Sequence, residues 1–233
     1  MKKINRNDFK VAYDMIFVQL GWAAWMISIA LVVYIGLRYF LGTDGIGSGF
    51  FSFIENPYKI FMLVVGILSV PSFLSYYVKL GVTRKHYFTG AALSSAALSL
   101  IFMIIAVIIT GVEQIIAATD VETFLGVNTS WMLIFFVFSL NIFIYYAAGW
   151  LIGAGYYRFG GWGLTFSISG ALLLIFMMDL LWSGELNTPL HRVLSISAPE
   201  NLSLILSFGG SFLLGGLAVW GIHRMTKRVR VKL

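Results

Sequence analysis

The sequence has no cysteine, only four prolines and few charges, with 11% of its 233 residues being Asp, Glu, Lys or Arg. The first absence excludes disulfides, thiolate metal sites and a cysteine nucleophile. The scarcity of charge excludes an ordinary soluble domain, which needs far more polar surface than this. With 59% hydrophobic residues and a mean hydropathy of +0.89, the chain reads as an integral, all-α membrane protein. No polar segment exceeds roughly 20 residues, so no soluble domain fits beside the membrane part. Several catalytic signatures are missing too. There is no Gly-x-x-x-x-Gly-Lys-Ser/Thr, so no P-loop holds a nucleotide. There is no His-Glu-x-x-His, and His86, His191 and His223 fall in separate segments, against a shared metal site. Gly209-Gly210-Ser211-Phe212 is similar to the serine motif of rhomboid proteases. No later span supplies the histidine that chemistry needs, and packing accounts better for Ser211.

What is present is a series of long apolar runs. Residues 1–19 read as an amphipathic helix in the inner membrane interface, capped by Asn7 or Asp8, with Phe9, Tyr13, Ile16, Phe17 and Leu20 on one face. The alternative is a plain extension of the first span. Met1-Lys2-Lys3 opens like a secretory signal, but the apolar run is too long and lacks a small-x-small cleavage site. Six spans are expected, at about 20–41, 58–78, 87–112, 131–155, 163–182 and 201–222. Together they form a transmembrane domain over 20–223, followed by a basic tail at 224–233. Arg38 is expected to snorkel to the headgroups. Pro71 should kink or break its helix. Residues 42–57, 113–130 and 183–201 read as external loops, holding Asp44, Glu55, Glu113, Asp120, Glu122, Glu185, His191, Arg192 and Glu200. Asn128-Thr129-Ser130 and Asn201-Leu202-Ser203 match the glycosylation pattern, which is frequent by chance.

Small residues recur at close-packing intervals: Ala91, Ser95 and Ser99; Gly149 and Gly153; Ser207, Ser211 and Gly215. Asn141 is a mid-span amide that either bridges two helices or lines a substrate path. Asp179, near the outer end of its span, either reaches interfacial water or contacts a substrate or cation at an outer gate. Orientation follows from Lys and Arg. With both termini inside, only Arg38, Lys59 and Arg192 of the 16 lie outside. That makes the net charge of +6 a topological signal and gives no ground for a nucleic-acid partner.

The stretch from Tyr76 to Phe88 is the one basic cluster between two long apolar runs. Gly81 stops a helix, Thr83 can cap the next, and Arg84 and Lys85 precede an aromatic pair. This is a short helix, a turn and a re-entering span, a shape suited to a groove in another protein. Leu80-Gly81-Val82-Thr83-Arg84-Lys85-His86-Tyr87-Phe88 resembles the Leu-Gly-x-Thr-Arg-Lys-x-x-Phe segment of permease subunits of type-2 ABC exporters from Gram-positive bacteria. Tyr156-Tyr157-Arg158-Phe159-Gly160 is similar to the Tyr-Arg-Phe-Gly between the fourth and fifth spans of those permeases.

The resemblance implies a non-catalytic transport subunit in a bacterial cell membrane. It would pair with a second permease chain, identical or paralogous, and bind separate ATPase subunits that carry ATP and Mg, with no cofactor in this chain. Residues Lys79 to Tyr87 would form the coupling helix, and Tyr157, Arg158 and Phe159 a second contact. The substrate class it suggests is amphipathic or antimicrobial peptides. Two other readings remain: a non-transporting immunity or assembly factor, and an ion-coupled secondary transporter, which would need ionisable groups near the membrane midplane.

Overall fold

The computed structural model describes residues 6–41, 49–117, 130–182 and 204–227. Outside these lie Lys2, Lys3, Asp44, Asp120, Glu122, Glu185, His191, Arg192, Glu200, Arg228, Arg230 and Lys232, with the asparagines of both glycosylation patterns, Asn128 and Asn201. Among the described residues the chain is all-helical, with five helices long and apolar enough to cross a membrane.

Helix α1 (Arg6–Leu41) has 36 residues and is about 54 Å long, against a hydrocarbon core of about 30 Å. No break divides it near residue 19, so its first turns extend the span directly. Val11, Met15 and Gln19 are buried, whereas Phe9, Tyr13 and Phe17 point outward. The aromatic face read as the membrane face is thus the unpacked one, and the opposite stripe packs on α4 (Arg84–Ala117). Gly90 allows the approach, since a Cβ there would meet the Val11 side chain at 2.6 Å.

Helix α2 (Phe50–Leu68) begins well before residue 58. The expected loop 42–57 therefore ends early, because Phe50, Phe51 and Ile54 each bury fully. Its first turn is anchored by Glu113, also expected in a loop. That residue lies on α4, accepts the Phe50 N–H at 2.9 Å, pairs with Arg38 and accepts the Tyr34 hydroxyl. A carboxylate at a helix N-terminus satisfies a donor that has no partner within the helix. Arg38 reaches Glu113 instead of snorkelling, because the ion pair is available within the bundle.

Around Pro71 the ladder changes to a π-helical turn, Ser69–Leu74. Proline has no N–H to donate, and the wider turn absorbs the loss. A five-residue helix, α3 (Ser75–Lys79), follows.

Helix α5 (Trp131–Leu181) is continuous except at Gly160, where φ is 68° and ψ −144°. Its two arms fold side by side. A Cβ on Gly155 would strike the Ser167 side chain, and Gly170 lies against Leu151. In a straight helix residues 155 and 167 would stand about 18 Å apart. Helix α6 (Leu204–Thr226) packs on α5.

The closest helix contact joins α2 to α5. A Cβ on Gly66, Gly149 or Gly153 would run into backbone carbonyls of the facing helix. With little hydrophobic drive between helices in lipid, such backbone proximity supplies the packing.

Candidate functional site

The basic turn is built from local signals. Gly81 has φ 80°. Its N–H donates to the Val78 carbonyl at 3.0 Å, and the Val82 N–H donates to Tyr77 at 2.9 Å. These two bonds are the Schellman stop, which needs a residue without a Cβ at the left-handed position. Thr83 Oγ1 then accepts the His86 N–H at 3.4 Å, capping α4. The glycine stop and threonine cap read from the sequence are both present.

Residues 79–87 divide into two sets. Lys79, Leu80, Gly81, Thr83, Arg84 and Lys85 are exposed and Val82 is half-buried. His86 faces back, its Nδ1 2.6 Å from Asp8 Oδ1 on α1. Tyr87 is fully buried, so it cannot belong to a docking surface as expected. Its hydroxyl lies 2.8 Å from Ser69 Oγ and also donates to the Ser69 carbonyl. Asp8 and Tyr87 therefore fasten the turn from behind. Arg84 and Lys85 stand at the N-terminus of α4, where cations oppose the helix dipole. Acids would stabilise that end better.

The turn at Gly160 lies at the same end. Tyr157 Oη is 3.2 Å from Ser75 Oγ, which opens α3 four residues before the expected coupling segment. Arg158 is engaged differently from the reading as a contact residue. Its Nη1 donates to the carbonyls of Arg224 and Met225 at 2.9 and 3.0 Å, capping α6. Its guanidinium also sits 4.8 Å from the Phe159 ring centre. Phe159 is exposed. Replacing Arg158 by glutamine is expected to cost about 1 kcal/mol. Amide exchange should accelerate in the last turn of α6; unchanged exchange there would deny the cap.

Asn141 and Asp179 are both buried. The Asn141 Nδ2 has no hydrogen-bond acceptor among the described residues, so it does not bridge helices through that atom. Asp179 reaches inward rather than to water. It interacts electrostatically with Glu55, and both carboxylates act on Tyr145. Lys59 pairs with Glu55 and lies 5.7 Å from the Tyr145 ring centre. Glu55 and Lys59, read as external, are thus buried with Asp179 in an ionic cluster inside the bundle. Acids and a lysine so placed are costly and need each other.

A second buried network escaped the sequence reading. Ser94 donates to Gln19 Oε1 at 3.2 Å, and Gln19 Nε2 donates to Tyr146 Oη at 3.4 Å. Tyr146 in turn donates to Ser69 Oγ at 3.4 Å. The chain of bonds ties α1, α4 and α5 to the π-helical turn just above the basic loop. Gln19, at the boundary drawn between interfacial helix and first span, was the available signal.

Compared with known protein families, curated proteins and solved structures, the chain matches none.

Proposed function

We propose that this chain is the permease subunit of an ATP-driven exporter of the type-2 ABC class. The observation carrying the reading is the exposed basic turn, Lys79 to Lys85, held rigid from behind and continuous with α2 through the π-helical turn. Two cations sited against a helix dipole make sense if an acidic surface on another protein meets them. ATP binding could then shift the permease because one permease state would fit the closed ATPases better. Counting the two arms of α5 as separate crossings, the chain makes six spans with both termini cytoplasmic. The first turns of α1 would carry the first span on to the inner face of a bacterial cell membrane. A second permease chain would complete the pathway, and amphipathic peptides remain the favoured cargo.

The test is Arg84→Glu. Insertion and yield should match wild type. Capture of a P-loop ATPase from native membranes should fall by more than tenfold, since like charges facing across an interface cost several kcal/mol. Normal ATPase capture with normal transport would refute the role.

One observation favours a second reading. The Glu55–Lys59–Asp179 cluster supplies the buried ionisable groups an ion-coupled transporter uses, although it lies near the outer ends of α2 and α5 and not at the midplane. Transport that persists without ATP and stops when the ion gradient is collapsed would select it.

A further inference from the structure

Two cavities lie in line between α4 and α6, and their chemistries differ. One is a cleft of about 340 Å³ lined by Arg84, Lys85, His223, Thr226 and Lys227. Among the described residues its walls carry three permanent cations and no carboxylate. The other is a groove of about 590 Å³, almost wholly apolar, with Ala92, Ala96, Phe143, Phe212, Gly216 and Val219 among its walls. From Lys85 to Ala92 is about 10 Å along α4, and from His223 to Val219 about 6 Å along α6. Phe88, whose ring is 4.6 Å from that of His223, lies on α4 between the levels of the two. We infer that an anionic phospholipid binds here, with its headgroup phosphate in the basic cleft and an acyl chain in the groove.

Three features specify an amphiphile. The cleft concentrates positive charge at the N-terminus of α4, whose backbone adds to the same field. The carbonyls ending α6 would oppose an anion, but Arg158 takes two of them. Asp8, a carboxylate at this end, is held by His86. A free anion would need only the cleft. The groove exists because small residues withhold side chains, and a Cβ on Gly216 would meet nothing within 4 Å. The depth is right as well. Leu213, Leu217 and Trp220 are exposed on α6, and Arg224 lies 5.0 Å from the Trp220 ring centre. An exposed tryptophan beside a cation marks the headgroup level, and the cleft opens one turn further on. Basic pockets between spans at that level suit phosphate headgroups.

The test uses the full chain, purified, stripped of lipid and returned to phosphatidylglycerol or phosphatidylcholine with the same acyl chains. Native mass spectrometry then counts retained lipid. Phosphatidylglycerol should be retained preferentially, and Arg84→Gln with Lys227→Gln should cut that retention about 30-fold. Gly216→Phe, or Val219→Trp if the first is poorly produced, should abolish retention while helix content and monodispersity stay normal. Retention blind to the headgroup would overturn the proposal. Retention that survives a filled groove, with release by inorganic phosphate, would reveal a free-anion cleft instead. Crosslinks placing a second copy of the chain over the groove would also overturn it. Lys227 lies outside the proposed coupling turn. Loss of lipid in Lys227→Gln with ATPase capture intact would therefore separate this site from the permease reading.

Discussion

Replacing Lys59 by methionine should destabilise the folded chain by about 3–5 kcal/mol. Lys59 is buried on α2, paired with Glu55 one turn earlier on the same helix. Asp179, fully buried on α5, acts on Glu55 from the other side. Methionine fills a similar volume, so packing changes little. What changes is electrostatic: the Glu55 carboxylate would lose the ammonium paired with it, away from water. Adding Glu55→Gln should recover part of the loss, and Asp179→Asn on top should recover most of the rest. The Glu55→Met, Lys59→Met pair should cost far less than Lys59→Met alone, because a removed ion pair leaves less charge stranded than a broken one. Unfolding midpoints in mixed micelles give each value. A Lys59→Met protein as stable as wild type would mean that the cluster is hydrated and does not hold α2 to α5.

The second large effect belongs to Gly149. An alanine there would press its methyl into the backbone of α2 at Leu63, and the same contact places Leu63 C at 2.9 Å and Ile67 N at 3.0 Å. These are backbone atoms in a regular helix and cannot swing aside as a side chain would. The two helices must separate, and the Gly66 and Gly153 contacts open with them. A cost of about 3 kcal/mol is expected, at the upper end for added core volume. Gly216→Ala, where a Cβ meets nothing, should be close to neutral. Equal stability of the two variants would show that the α2–α5 contact is looser than these glycines indicate.

The features legible in the sequence were those with local causes. Gly81 and Thr83 announce a stop and a cap by their own backbone chemistry. Pro71 announces a disturbed ladder by lacking an N–H. Ala91, Ser95 and Ser99 announce a packing stripe, and all three are buried. The illegible features depended on partners distant in sequence. Arg38 and Glu113 are 75 residues apart, and each looked like an ordinary charge near a span end. Glu55 and Lys59 invited the same reading, since nothing within α2 reveals that Asp179 faces them. Tyr87 was assigned to the turn because an aromatic beside a basic run looks the same whether it points out or in. Its partner, Ser69, lies 18 residues away in sequence, at the start of the π-helical turn.

That π-helical turn also carries a consequence for insertions and deletions. A π turn is an α-helix with one residue more than its hydrogen bonding requires, and each residue of an α-helix advances the phase by about 100°. Deleting a single residue within Ser69–Leu74 would let the ladder close as ordinary α-helix. Everything beyond would then keep nearly the same direction about the α2 axis, because the wider turn takes one more residue for about the same rotation. A deletion in the regular part of α2 would instead turn Arg84 and Lys85 by about a quarter turn, although their sequence, cap and stop were unchanged. The π-helical turn is thus the place where losing a residue would disturb the setting of the basic loop least.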